Sequence, residues 1–143
     1  MVAVAVLLSA TACSGDDEPK GGKTPSKAPT SADTGIISPE LPKDPKFEGK
    51  TDGVIKDVVV KSCDTEKGPV AAAGTATNSS KKTQDIVVSI SWAVTTTSDV
   101  VARGIASLKD VKPGDTVDWD VKADLKSSET VACVATALRG TLR

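Results

Sequence analysis

Apolar and polar residues alternate through most of the second half of the chain. Valine, isoleucine, alanine and threonine recur at every second position, and no stretch shows a helical period with capping residues. A period of two places successive side chains on opposite faces, as in a strand that is buried on one side only. Six strands are therefore predicted, at residues 54–63, 70–77, 85–97, 100–107, 116–122 and 130–138.

The connections between these segments favour antiparallel pairing. Residues 78–82 form a polar loop, and residues 97–99 are short enough for a hairpin. Pro113 followed by Gly114 suits a type II turn, in which the first central residue needs a fixed φ and the second a positive φ. Six or seven short strands within residues 50–143 predict an all-β fold, an antiparallel β-sandwich.

The beginning of the chain has the features of an export signal. An apolar run at residues 2–8 is too short to span a bilayer, and the small residues at positions 9–12 precede Cys13. This arrangement resembles a bacterial lipobox, in which the cysteine thiol receives a lipid before cleavage. We expect residues 1–12 to be a signal peptide, truncated at its front because no Lys or Arg precedes the apolar run. Cys13 would then carry acyl chains such as palmitate. Cleavage at the same bond without lipidation would give a secreted protein instead.

Residues 13–49 differ sharply from the strands that follow them. This stretch contains six of the eight prolines, together with many Gly, Ser, Thr and Lys residues. Such a composition buries too little apolar surface to offset the entropy of ordering, so a disordered tether is predicted. The tether would hold the domain, residues 50–143, at the outer face of the cytoplasmic membrane, exposed on the cell surface.

The three cysteines can each be given a role. An exported chain with three cysteines has one odd thiol unless another reaction uses it. With Cys13 lipidated, Cys63 and Cys133 remain to form a disulfide in an oxidising compartment. The alternative is a pair of free, buried thiols.

Composition argues against catalysis and against several ligands. The chain has no His and no Tyr, 2% aromatic residues and a net charge of −1. General acid–base catalysis and transition-metal centres most often use His, and nucleic-acid binding uses basic or aromatic surfaces. We therefore expect a non-enzyme with no cofactor, no metal and no nucleic-acid partner. Calcium binding by the carboxylates of Asp115, Asp118, Asp120 and Asp124 is a weaker alternative, because Asp118 and Asp120 lie on the predicted solvent face of a strand. A carbohydrate platform formed by Trp92 and Trp119 is also weaker, because both lie on apolar faces.

Several of these features together resemble a known class of bacterial proteins. The lipobox, the Pro-rich tether and the strand that ends in Ser62-Cys63 are similar to small immunoglobulin-like lipoproteins of Gram-positive bacteria. Residues 74–80, the strand at 85–97, and Pro113-Gly114 before Trp119 resemble FxLYD-type domains, although the signature that names them is absent. The resemblance implies an immunoglobulin-like sandwich with no known catalytic site.

These expectations lead to a functional prediction. The chain is expected to be a non-catalytic surface lipoprotein whose domain binds a protein or envelope partner through its loops at residues 78–82 and 109–115. Asn78, Lys81 and Lys82 are the predicted contact residues, and Asn78 also begins a formal glycosylation sequon. The alternatives are an accessory subunit of a membrane-protein complex and a secreted protein without lipid.

Overall fold

The computed structural model describes residues 40–143, which form seven β-strands and one short 3-10 turn at Ile55–Asp57. The strands are β1 (Phe47–Gly53), β2 (Val58–Cys63), β3 (Gly68–Thr77), β4 (Gln84–Val94), β5 (Val100–Val111), β6 (Thr116–Leu125) and β7 (Val131–Leu142). All pairings between neighbouring strands are antiparallel. The prediction of an all-β antiparallel sandwich is therefore confirmed, and the six predicted strands correspond to β2–β7. The predicted signal peptide, Cys13 and residues 14–39 of the predicted tether lie outside the described residues.

The strands are arranged in two sheets, with orders β1-β7-β4-β5 and β2-β3-β6. Immunoglobulin domains place strands A, B and E in one sheet and strands C, F and G in the other, and variable-type domains add C′ beside C. In this chain β2, β3 and β6 take the positions of A, B and E, while β7, β4 and β5 take those of F, C and C′. Strand β1 lies beside β7 in the position of G, although it comes first along the chain.

The alternation seen in the sequence forms the core between the sheets. In β4 every residue on the predicted apolar face is buried: Ile86, Val88, Ile90, Trp92 and Val94. In β6 the side chains of Trp119 and Val121 are buried, whereas Asp118 and Asp120 are exposed. Both tryptophans therefore pack in the core, as their positions on apolar strand faces predicted.

A disulfide joins Cys63 of β2 to Cys133 of β7, as predicted, and it links the two sheets. Trp92 is the cross-strand partner of Cys133, and its indole N–H donates a hydrogen bond of 2.7 Å to the carbonyl oxygen of Asp64. Because Asp64 directly follows Cys63, a covalent bond and a hydrogen bond together hold the end of β2 to the other sheet.

Two glycines allow parts of the sandwich to approach closely. A Cβ on Gly104 of β5 would lie 2.7 Å from Cβ of Val121 in β6, so the two sheets nearly meet along this side. A Cβ on Gly74 of β3 would overlap the carbonyl oxygen of Val59 in β2 and lie 2.7 Å from the Trp119 ring. Strand β2 can therefore sit in its observed place only because residue 74 has no side chain.

Strand β1 was not predicted from the sequence. It begins at Phe47, so the predicted start of the domain at residue 50 falls inside this strand. The Phe47 ring lies over Gly140 of β7, where an added Cβ would be 2.9 Å from it. Before β1, the carboxylate of Asp44 accepts hydrogen bonds from Ser89 of β4 (3.3 Å) and from Arg103 of β5 (2.6 Å). The residues before β1 are thus fixed to the outer face of the four-stranded sheet.

Candidate binding surface

The two segments predicted to bind a partner lie side by side at one end of the sandwich, although residues 109–111 belong to β5 and the second loop is only residues 112–115. The backbone N–H of Asn78 donates to the Asp115 carbonyl (2.9 Å), and the N–H of Gly114 donates to the Asn78 carbonyl (2.8 Å). The second loop contains the predicted type II turn, with φ of 79° at Gly114 and a 3.1 Å hydrogen bond from the Asp115 N–H to the Lys112 carbonyl. We call this surface, formed by residues 78–83 and 109–115, the lysine end.

Asn78 holds the lysine end together from the inside. Its side chain is 0% exposed, and its amide nitrogen donates to the carbonyl oxygens of Lys82 (2.8 Å) and Val111 (2.7 Å). Its amide oxygen accepts hydrogen bonds from the backbone N–H (3.0 Å) and the hydroxyl (2.7 Å) of Ser80. The two donors and two acceptor sites of the amide are therefore all used.

This burial corrects the assignment of Asn78 as a contact residue. A partner cannot reach the side chain without breaking its hydrogen bonds, so Asn78 shapes the surface and does not form it. In the folded domain its amide nitrogen is for the same reason closed to glycosylation at the Asn78-Ser79-Ser80 sequon. The sequence placed Asn78 correctly in a loop, but its polar side chain gave no sign that it points inward.

The predicted lysines, in contrast, are on the surface. Lys81 and Lys82 are exposed in the first loop, Lys109 is exposed near the end of β5, and Lys112 is exposed in the second loop. None of these four makes an ion pair within residues 40–143. The four lysines outnumber the two exposed carboxylates in the same segments, those of Asp110 and Asp115, so the lysine end carries a net positive charge.

The carboxylate of Asp85 in β4 supports the end of β5, next to the second loop, and the sequence did not predict this contact. One oxygen of its carboxylate accepts the backbone N–H of Asp110 (2.9 Å), and the other accepts that of Leu142 (2.7 Å). Asp110 has a positive φ of 52°, which is uncommon for a residue with a side chain. The Asp85 carboxylate therefore joins the turn-like backbone near the end of β5 to the end of β7.

A second polar cluster connects the first loop to the rest of the domain. Arg139 of β7 is largely buried, and its guanidinium donates to the Ser79 hydroxyl (3.1 Å) and to the Asp57 carboxylate (3.4 Å). The Ser79 hydroxyl donates in turn to the same carboxylate, 2.5 Å away. The only sequence signal for this cluster is that Arg139 is the single charged residue of β7.

The remaining candidate sites have simple structural roles. Asp118, considered as a calcium ligand, is exposed and lies 3.4 Å from the ammonium group of Lys61. Within residues 40–143, no three His, Cys, Asp or Glu side chains are grouped so that they could hold a metal ion.

The same part of the chain contains no helix that is long and apolar enough to cross a membrane.

The comparisons with known proteins give no family assignment. The sequence matches no protein-family model, and neither the curated proteins nor the solved structures include a significant match to it. The fold and the geometry of the lysine end are therefore the basis for the functional argument.

Proposed function

We propose that this protein is a non-catalytic binding protein of the cell surface, anchored by a lipid on Cys13, whose sandwich domain binds an acidic partner through the lysine end. The observation that carries the proposal is the pairing of two loops by the buried Asn78 amide. Binding sites are often built on loops that a rigid scaffold positions, as at the ends of immunoglobulin sandwiches.

The charges of the lysine end indicate the chemistry of the partner. Four exposed lysines without ion pairs inside residues 40–143 produce a local positive field that favours carboxylate or phosphate groups. Because the loops are fixed before binding, a partner does not have to bear the entropic cost of ordering them. An acidic protein surface or an anionic envelope polymer fits these features.

The absence of catalysis is proposed from the sequence and the disulfide. The chain has no histidine, and both cysteines of the domain are bonded to each other, so neither provides a thiolate nucleophile. A role as an accessory subunit of a membrane-protein complex is the alternative. An integral membrane protein as the partner would support that role.

Crosslinking on intact cells, followed by mass spectrometry, tests the binding surface. The double variant Lys81→Glu/Lys82→Glu reverses charge at the lysine end, and we expect it to reduce the yield of the crosslinked partner by about tenfold or more. The matched control is Lys122→Glu/Lys126→Glu, which makes the same change at exposed lysines on β6 and in the loop after it. An equal loss of the partner with both double variants, or no loss with either, would contradict the proposed surface.

A further inference from the structure

One side of the four-stranded sheet is only half occupied. Strand β1 pairs with β7 from Leu142 down to Leu138, and the N–H of Val54 then donates to the Ala137 carbonyl at 3.0 Å. From Val131 to Thr136, β7 pairs with β4 on its other side, and within residues 40–143 no strand pairs with it on the side of β1. We call residues 131–136 of β7 the open edge.

The backbone of the open edge is oriented to accept another strand. In an antiparallel sheet, alternate residues direct both N–H and C=O to the same neighbour. Because the Ala137 carbonyl points to the β1 side, the N–H and C=O groups of Ala135, Cys133 and Val131 point to that side as well. An added strand would therefore meet three residues with free donors and acceptors.

Apolar side chains surround this position on both faces. Val134 is 48% exposed on the outer face of the sheet, and Val60 of β2 is 40% exposed although it lies on the inner side of its own sheet. Val60 is three residues from Cys63 in β2. The disulfide between Cys63 and Cys133 holds this part of β2 close to the open edge. Within residues 40–143, five of the six large apolar residues that are exposed belong to β2, β7 or the 3-10 turn that precedes β2: Ile55, Val59, Val60, Val134 and Leu138.

The other sheet edges are protected in ways that the open edge is not. Strands β5 and β6 close against each other at Gly104 and Val121. Strand β1 has an irregular register, and β2 has a bulge and the charged Lys61. Residues 131–136, Val-Ala-Cys-Val-Ala-Thr, contain no charge, no proline and no irregularity in their pairing with β4. Charges, bulges and mutual cover are the usual means of preventing strand addition.

We propose that the open edge binds an extended segment of a partner protein, which adds antiparallel to β7 in line with β1. The segment would be about six residues long, because two paired strands rise by the same roughly 3.4 Å per residue and the open edge is six residues of β7. It would be uncharged and free of proline, with β-branched residues at alternate positions to cover Val60 on one face and Val134 on the other. Main-chain hydrogen bonds would give affinity and the alternate side chains specificity. This site is separate from the lysine end.

The aliphatic residues of the predicted tether that lie nearest to the described part are too close to Glu40 in the sequence to reach the open edge. The aliphatic residues nearest to the described part, Ile36 and Ile37, precede Glu40 by three or four positions. Glu40 lies in a cleft with Val101 of β5, on the far side of the sheet. Reaching the open edge from β5 means crossing about 14 Å of sheet, whereas three extended residues span at most about 10 Å.

A second copy of the domain is also a poor occupant. Edge-to-edge pairing along six residues would cover only a few hundred Å² on each copy, well under the roughly 800 Å² per partner of stable interfaces. A peptide segment can fill the strand position and cover both flanking apolar sites at once.

Amide hydrogen exchange on the full chain tests the proposal. The probe is a synthetic peptide of alternating threonine and valine residues, and the control peptide has proline in place of its central threonine. At saturating peptide we expect the exchange rates of the Ala135 and Cys133 amides to fall by about tenfold or more, because these amides acquire hydrogen-bond partners. The proline peptide should give little protection. No protection by the first peptide, or protection only at the lysine end, would overturn the proposal.

Two matched variants separate the open edge from the neighbouring apolar surface. Val134→Lys puts a charge beside the open edge and should raise the Kd of the peptide by about tenfold or more. Val100→Lys makes the same change at a valine that is 39% exposed on β5, and it should leave the Kd nearly unchanged. Equal effects of the two variants would place the peptide in the groove that both valines line. A concentration-dependent dimer that protects the same amides without peptide would make a second copy the occupant, and either result would overturn the proposal.

Discussion

At the scale of single residues, the two tryptophans differ in what their indole N–H groups contact. Both rings are buried, but the Trp92 nitrogen donates to the Asp64 carbonyl at 2.7 Å, whereas the buried Trp119 nitrogen has no hydrogen-bond partner within residues 40–143. Removing an N–H that is bonded leaves the carbonyl unpaired, and removing one that is already unpaired has no such cost.

This difference predicts unequal effects of the same substitution. Trp92→Phe should lower the free energy of unfolding by about 1–2 kcal/mol more than Trp119→Phe does. The two variants are matched controls for each other, because both lose the same ring volume in the core. Denaturant titration of both variants measures the difference. A Trp119→Phe variant that is the less stable of the two would contradict the hydrogen-bond argument.

Asn78 is the residue on which the shape of the lysine end depends. Asn78→Ala removes four side-chain hydrogen bonds and leaves the buried Val111 carbonyl without its donor. We expect a loss of about 3 kcal/mol in the free energy of unfolding, together with faster amide exchange in both loops. Thr83→Ala, a change at an exposed residue of the first loop, is the control and should cost little. If Asn78→Ala proved as stable as that control, the amide would not be what joins the loops.

At the scale of elements, Gly74 sets the position of β2. Gly74→Ala places a Cβ against the Val59 carbonyl oxygen and the Trp119 ring, so β2 must move away from β3. We expect the variant to be destabilised by about 2–3 kcal/mol, with the loss of protection concentrated in β2. Gly53→Ala is the control, because nothing lies within 4 Å of a Cβ there and its φ is not positive. The explanation fails if the two variants unfold at the same denaturant concentration.

The elements also differ in how well the sequence predicted them. Strands β4 and β6 were predictable because their alternation reflects burial on one face, and the type II turn because Pro113 and Gly114 have restricted conformations. Strand β1, with the sequence Phe-Glu-Gly-Lys-Thr-Asp-Gly, has no alternating apolar pattern. It forms because β7 offers hydrogen bonds and Gly140 leaves room for Phe47, and both partners lie far away in the sequence. The Arg139 cluster was missed for the same reason.

At the scale of the whole molecule, the disulfide is the covalent link between the two sheets. It closes a loop with a sequence separation of 70 residues, so the chain-entropy model gives it up to about 4 kcal/mol of stabilisation. Reduction should lower the Tm without necessarily unfolding the domain, because the Trp92 hydrogen bond and the core remain. Thermal unfolding with and without reductant measures the change. Alkylation of two thiols in the denatured but unreduced protein would show that the cysteines are free.

The proposed role as a surface binding module requires that the protein be retained at the membrane, so the most general prediction concerns Cys13. A lipid with two acyl chains binds a membrane firmly, whereas a single acyl chain binds only marginally. The most direct test is detergent phase partitioning of the full-length protein from cells, combined with the mass of its N-terminal peptide. We predict that the wild type enters the detergent phase with a lipid-modified Cys13, and that Cys13→Ser is released to the medium or fails to mature. Recovery of the wild type in the aqueous phase with an unmodified N-terminal cysteine would contradict the account.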